Sequence, residues 1–110
     1  MMDEKQLLAE ISGCIKAGRY RVKLHTVRHM IEEGFEEKDI IHSIIHGKII
    51  ESYPEEDRCL ILGEFHFTET TISPLHIVCD YSQQENVDIV TAYIPQKPWW
   101  VNPKTRGDKQ

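Results

Sequence analysis

The apolar and polar positions along the chain predict helices in its first half and strands in its second half. Between residues 3 and 17 the apolar positions follow the helical period, at Leu7, Leu8, Ile11 and Ile15. Asp3 has the N-cap position of this predicted helix, and Gly18 marks its end. An extended segment over residues 20–24 leads into a second helix that ends at Gly34. The acidic residues that follow favour the start of a third helix, which Gly47 ends.

The second predicted helix separates its apolar and polar side chains most sharply. At about 100° per residue, four apolar side chains share one face, namely Leu24, Val27, Met30 and Ile31. We predict that this face docks on the core. The other face carries side chains that could transfer protons or bind an oxyanion, namely His25, Arg28, His29 and Glu32. The alternative is a solvated helix surface that carries an Arg28–Glu32 ion pair.

Four β-branched and aromatic runs follow, separated by turn-like segments, at residues 48–53, 58–67, 74–81 and 87–94. Short connections between strands imply antiparallel neighbours. We therefore predict a single α+β domain, residues 1–110, whose N-terminal helices pack on one face of a four-stranded antiparallel sheet. Alternation along the strands then puts His76, Thr91 and Tyr93 on the opposite face, where a ligand could bind. Residues 101–110 are expected to form a flexible tail.

Composition excludes several classes of protein. With 40% apolar and 28% charged residues, the 110-residue chain has ordinary globular composition. No apolar run is long enough to span a bilayer and no leader sequence is evident, so we expect a cytoplasmic protein. The three cysteines lack C-x-x-C spacing, which argues against both a disulfide framework and a zinc knuckle.

The charge is unevenly distributed along the chain. Residues 16–28 carry five cations and no acid, namely Lys16, Arg19, Arg21, Lys23 and Arg28. From residue 96 to the end, four cations outnumber one acid. Since the net charge of the whole chain is -5, the remaining residues are strongly acidic. A protein polarised in this way can present a phosphate-attracting patch, although a chance cluster and a loose basic tail would give the same pattern.

Metal and cysteine chemistry are weakly supported. Two histidine pairs have the i,i+4 spacing that can place two imidazoles on one metal, namely His25/His29 and His42/His46. Neither pair contains the glutamate of an H-E-x-x-H motif, and no third ligand is evident, so we predict no metal. The cysteines of the second half lie inside apolar strands, where burial disfavours the reactive thiolate.

The remaining chemistry is metal-independent cleavage of a phosphodiester in RNA, which needs a base, an acid and cations near the phosphate. His25 and His76 could exchange the protons. Side chains that could hold the phosphate or donate a further hydrogen bond to it are Arg28, Arg58, Lys23 and Tyr93. The alternative for His76 is a structural histidine whose hydrogen bonds are satisfied within the sheet.

Further side chains could bind the substrate. Thr91 lies on the same predicted sheet face as Tyr93. Trp99 and Trp100 stand among the cations of the tail, an arrangement that suits stacking of unpaired bases. The alternative is that the two tryptophans anchor the C-terminal arm to the domain.

An ordered series of motifs resembles the family DUF4258 over about residues 20–100. These motifs are His25-x-x-Arg28, Gly34-Phe35, Asp39-Ile40, Gly47-Lys48-Ile49-Ile50-Glu51-x-Tyr53, Arg58-Cys59-Leu60-Ile61-Leu62-Gly63, Pro74-Leu75-His76-Ile77-Val78 and Ile89-Val90-Thr91-Ala92-Tyr93. The resemblance implies a RelE-like fold, related to the barnase, colicin and RelE group of small ribonucleases. It also implies a toxin of a toxin–antitoxin pair, whose partners are RNA and a protein antitoxin; such toxins are often encoded beside a zinc-finger antitoxin of the MqsA type.

The resemblance also implies roles for particular residues. Motif positions of the family fall on His25, Arg28, Arg58, His76, Thr91 and Tyr93. The chain departs from the pattern at Glu33, where many relatives have an arginine. The expected activity is an endoribonuclease that needs no cofactor and leaves a cyclic phosphate and a 5′-hydroxyl end. The alternative is a non-catalytic module of the same fold that binds RNA or protein.

Overall fold

The computed structural model describes residues 2–83, 85–95, 100–102 and 105–106. Within these ranges the helices are α1 (Glu4–Lys16), α2 (Leu24–Glu33) and α3 (Glu37–Ile45). The strands are β1 (Tyr20–Val22), β2 (Lys48–Tyr53), β3 (Arg58–His66), β4 (Ile72–Asp80), β5 (Val87–Tyr93), β6 (Trp100–Asn102) and β7 (Thr105–Arg106). A single 3₁₀ turn, Pro54–Glu56, joins β2 to β3.

The main sheet has five strands in the order β1-β5-β4-β3-β2, and β6 pairs with β7 in a separate ribbon. Strands β2 to β5 form the antiparallel meander that the sequence predicts. Strand β1 adds a fifth strand, which runs parallel to β5. The prediction of a four-stranded antiparallel sheet was therefore wrong, because a three-residue extended segment pairs with a strand more than 60 residues away. The observed architecture is α+β with a mixed sheet.

The helix boundaries follow the predicted capping residues. The Asp3 carboxylate accepts the Gln6 backbone N–H at 2.8 Å, and the Gln6 side chain accepts the Asp3 N–H at 3.0 Å, which completes a capping box. A second capping box, formed by Glu36 and Asp39, starts α3. Gly34 ends α2 with a φ of 83°, a left-handed conformation that glycine adopts without strain. These local signals were read correctly from the sequence.

The hydrophobic core lies between one face of the sheet and helices α1 and α3. Its members include Leu7, Ile11, Ile15, Ile40, Ile44, Ile49, Cys59, Ile61, Leu75, Ile77, Cys79, Val87 and Ile89. Strand alternation places His76 on the second face, where it pairs in register with Tyr93. Thr91 pairs with Val78 in the adjacent row, so His76, Thr91 and Tyr93 share the second face as predicted.

Only part of the predicted apolar face of α2 is buried: Met30 packs against the core and Val27 is partly buried. Leu24 is 66% exposed and Ile31 is 78% exposed, whereas Thr26 is completely buried. The reason is the position of α2 at the edge of the sheet. Strand β1 pairs with only the first three residues of β5, and α2 packs against β5 where this pairing ends. The Thr26 hydroxyl donates a hydrogen bond of 3.0 Å to the carbonyl of Ile89. The helix thus contributes polar side chains to the sheet edge, and the prediction that Leu24 and Ile31 dock on the core was wrong.

Candidate active site

Four polar rings form a continuous row where α2 meets β5 and β4, and we call this row the ring cluster: His25, His29, Tyr93 and His76. The ring centroids of His25 and His29 are 4.8 Å apart, on successive turns of α2. The His29 ring is 6.4 Å from that of Tyr93, the last residue of β5. Tyr93 in turn lies 5.4 Å from His76, its cross-strand neighbour in β4. Three separate elements therefore deliver groups capable of proton transfer to one place.

His29 makes the most closely defined contact of the cluster. Its Nδ1 lies 2.5 Å from Oε2 of Glu33, one helical turn further along α2. The other carboxylate oxygen of Glu33 accepts the backbone N–H of Ile94 at 2.7 Å. Both side chains are partly exposed, by 28% for His29 and 21% for Glu33. From the sequence, His29 is expected on the polar face of α2 but not at the family's site positions, and the i,i+4 spacing of His29 and Glu33 is the signal that could have predicted their contact.

His76 has no accessible surface. Its Nδ1 lies 3.4 Å from the hydroxyl of Tyr93. Because the imidazole is fully enclosed, a proton that moved between His76 and a bound substrate would have to pass through a neighbouring group such as this hydroxyl. The geometry connects His76 to the site through Tyr93 and also fits a structural histidine whose hydrogen bonds are made within the sheet.

Two cations stand beside the ring cluster. Arg28 follows His25 by three residues on α2, which places the two side chains on neighbouring positions of the helix surface, and both are exposed. Lys23 is the exposed N-cap residue of the same helix. Within the described ranges neither Arg28 nor Lys23 forms an ion pair, so both are available to an anionic ligand. Thr91 lies two residues before Tyr93 on the same sheet face.

Arg58 is held apart from the ring cluster by an ion pair. Its Nε is 3.1 Å from the Asp80 carboxylate. Burial acts to raise the pKa of Asp80, but hydrogen bonds from Ser82 and the Arg58 guanidinium outweigh it and hold this pKa below its usual value. Leu62, the partner of His76 in β3, is four residues from Arg58, which separates the two sites by roughly 13 Å along the strand. The structure therefore does not bring Arg58 to the predicted site.

Two further cations of the basic segment have partners within the fold. Arg21 forms an ion pair of 3.0 Å with Asp88, its neighbour on β5. Arg19 donates a hydrogen bond of 2.9 Å from its Nε to the backbone carbonyl of Glu85. The predicted basic patch therefore offers fewer cations to a ligand than the sequence suggests. Its cations near the ring cluster are Lys23 and Arg28.

The structure does not describe the side chains of the two tail residues proposed for base stacking. Trp99 lies outside the described residues. Trp100 begins β6, and its side chain is also outside what the structure describes. The substrate-binding role of the two tryptophans stays a prediction.

Burial suppresses the reactivity of two cysteines. It raises the pKa of the Cys59 thiol to about 12, with a smaller contribution from the charge of Glu4. It raises the pKa of Cys79 well above its ordinary value, again as the main cause. Both residues have no accessible surface, so neither side chain is placed to act as a nucleophile.

The histidines of α3 form a separate pair. The rings of His42 and His46 are 4.6 Å apart and line a cleft of about 360 Å³ together with Lys48 and Glu64. Across the described residues, no group of three or more histidine, cysteine or acidic side chains has the arrangement of a metal site. None of the helices in this part of the chain is long and apolar enough to cross a membrane.

A comparison with protein families identifies one match. The model of a domain of unknown function, DUF4258, matches residues 22–94. This range begins at the end of β1 and runs through β5, so it includes the whole ring cluster and Glu33. No curated protein and no solved structure matches the chain.

Proposed function

Since the chain belongs to the DUF4258 family, a domain of unknown function, we propose an activity from the site itself: metal-independent endonucleolytic cleavage of single-stranded RNA. The observation that carries the proposal is the row of four rings beside an exposed arginine, Arg28, on α2. Imidazole groups are the side chains best suited to proton transfer near neutral pH, and a guanidinium can hold a phosphate through two hydrogen bonds. The resemblance to RelE-like toxins points in the same direction.

In the proposed reaction the ribose 2′-hydroxyl attacks the adjacent phosphorus and displaces the 5′-oxygen of the next nucleotide. The products are a 2′,3′-cyclic phosphate and a 5′-hydroxyl end. Arg28, with Lys23 nearby, would neutralise the charge that builds on the phosphate. The exposed His25 would take part in proton transfer, while the Tyr93 hydroxyl, adjacent to His76, would donate a hydrogen bond to the substrate.

A protein partner is part of the proposal. Leu24 and Ile31 lie seven residues apart on α2, which places them on one side of the helix, and both are strongly exposed. His25 and Arg28 stand between them in sequence. An antitoxin that covered these apolar side chains would also cover the proposed phosphate site. Inhibition would then follow from occlusion, and the pair would act in the cytoplasm, where the RNA is.

A second function is favoured by the burial of His76 and by the ion pairs that engage Arg58 and Arg21. These features reduce the number of groups available for catalysis. They fit a non-catalytic module that binds RNA or a protein through the same surface. Such a module predicts saturable binding without turnover, and RNA binding that weakens as salt is raised.

The test is a digest of end-labelled, mixed single-stranded RNA by the purified protein in EDTA. We expect cleavage with cyclic phosphate ends, and a rate at least about 100-fold lower for His25→Ala and for Arg28→Ala. His42→Ala, which alters an exposed histidine on α3, is the matched control and should cleave normally.

Two outcomes would contradict the proposal at different points. A folded His25→Ala protein with undiminished cleavage would remove His25 from the mechanism. Absence of cleavage by the folded wild-type protein, free of any partner, would favour the binding module. Measuring RNA affinity at low and high salt with the same preparation then distinguishes an RNA-binding from a protein-binding role.

A further inference from the structure

The carboxylate of Glu33 is fixed from two directions. One oxygen accepts the backbone N–H of Ile94 at 2.7 Å, immediately after the end of β5. The other lies 2.5 Å from Nδ1 of His29 on the same helix as Glu33. A carboxylate anchored by the backbone at one oxygen holds its second oxygen in a defined place, so the His29 ring has a defined orientation as well.

This contact decides which nitrogen of His29 carries the proton. An ionised carboxylate can only accept hydrogen bonds, so Nδ1 of His29 must be the donor in this pair. In the neutral imidazole, the proton on Nδ1 leaves the lone pair on Nε2. The same logic operates wherever an acidic residue orients a catalytic histidine as a base.

We propose that His29 is the general base of the ring cluster and that Glu33 is the residue that positions it; this inference rests on the ribonuclease function proposed above. His29 Nε2 accepts the proton of the ribose 2′-hydroxyl as the 2′-oxygen bonds to phosphorus. The bond from phosphorus to the 5′-oxygen breaks, and this oxygen takes a proton from His25 in its imidazolium form. One proton is thus gained and one lost by the two rings, which are 4.8 Å apart.

The other histidines of the cluster are less suited to the role of base. His76 has no accessible surface, so a substrate hydroxyl cannot reach its ring directly. His25 is exposed, but within the described ranges it has no hydrogen-bond partner that would select one tautomer. His29 combines a partly exposed ring with an orienting carboxylate. Glu33 therefore has a specific task in this chain.

The experiment combines kinetics with nuclear magnetic resonance of the His29 ring. Glu33→Gln keeps an oxygen that can accept the Ile94 N–H but removes the charge, and its amide N–H can donate to Nδ1. We expect kcat for RNA cleavage to fall by up to about 10⁴-fold with KM within about 2-fold, as for the acid that orients the histidine of a catalytic triad. Ring ¹⁵N shifts should show the proton on Nδ1 of His29 in the wild type and on Nε2 in the variant. Glu69→Gln, the same chemical change at an exposed position between β3 and β4, should change neither property.

His29→Ala should lower kcat by at least about 100-fold. If the wild type cleaves RNA while His29→Ala and Glu33→Gln cleave at the same rate, the inference is wrong and the ribonuclease function stands. A proton on Nε2 of wild-type His29 would also overturn it. If the wild type does not cleave RNA at all, the proposed function fails, and the role of His29 as base fails with it.

Discussion

Gly63 in β3 lies directly against helix α3, where the backbone of Ser43 comes closest to the sheet. A Cβ atom added at Gly63 would lie 2.3 Å from the Cβ of Ser43, 2.5 Å from its carbonyl oxygen and 2.6 Å from its Cα. Optimal separations between non-bonded carbon atoms are about 3.5–4.0 Å. Two of the three obstructing atoms belong to the backbone, so no side-chain rotation can relieve the overlap.

Gly63→Ala must therefore shift α3 away from the sheet by about 1 Å or distort β3. Either change disturbs Ile40 and Ile44, which α3 buries completely. Overpacking a core by one methyl group costs about 1–3 kcal/mol, and the backbone contacts place this substitution at the upper end. For 110 residues, at roughly 2.1 cal/mol/K of unfolding entropy per residue, a loss of about 3 kcal/mol lowers Tm by about 13 °C.

The assay is thermal and urea unfolding followed by circular dichroism. Gly13→Ala provides a control with the same chemical change, because Gly13 lies within α1 and a Cβ there would meet nothing within 4 Å. This control should raise the free energy of unfolding by about 0.5–1 kcal/mol, the helix propensity difference between the two residues. A Gly63→Ala protein within about 0.5 kcal/mol of the wild type would refute the argument that α3 is locked against β3 by backbone contact.

Two further predictions concern titration and thiol chemistry. Because the folded protein holds the pKa of Asp80 below its usual 3.8, the carboxylate stabilises the fold above this pH, and the contribution is lost as pH falls through the lower folded value. The stability difference between wild type and Asp80→Asn should therefore shrink in acid unfolding below about pH 4. Iodoacetamide at about pH 8 should alkylate the half-exposed Cys14 in the folded protein, and Cys59 and Cys79 only after unfolding, as mass spectrometry would show. Rapid labelling of Cys59 in the folded state would contradict this.

Local signals in the sequence predicted the elements that depend on local chemistry. The capping box of α1, the left-handed glycine after α2 and the acidic start of α3 each satisfy backbone groups within a few residues of themselves. Strands β2 to β5 have short connections, so their antiparallel order also followed from the sequence. The alternation that put His76 and Tyr93 on one face needed only the period of a strand.

The errors concern contacts between distant parts of the chain. Strand β1 has only three residues, and its pairing with β5 depends on a partner that no local pattern identifies. The orientation of α2 depends on the same partner. Its apolar residues at the helical period predicted a buried stripe, yet Leu24 and Ile31 face away from the core. A hydrophobic period describes the face that is apolar, and it indicates the buried face only where the neighbour of the helix is apolar too.

The neighbour of α2 is a sheet edge, and a sheet edge needs hydrogen bonds. A helix cannot continue a ladder with its own backbone, since its N–H and C=O groups are already paired along its axis. The N-cap residue and two side chains of α2 do so instead: the Ile89 carbonyl accepts the Lys23 backbone N–H and the Thr26 hydroxyl, and the Glu33 carboxylate accepts the Ile94 N–H. The Ile94 N–H is thus paired by a polar side chain on the inner face of α2. Once Glu33 is anchored there, its second oxygen is available to orient His29. The edge of β5 needs hydrogen-bond partners, and α2 turns polar side chains toward the sheet there. One of these side chains, that of Glu33, also forms part of the candidate site.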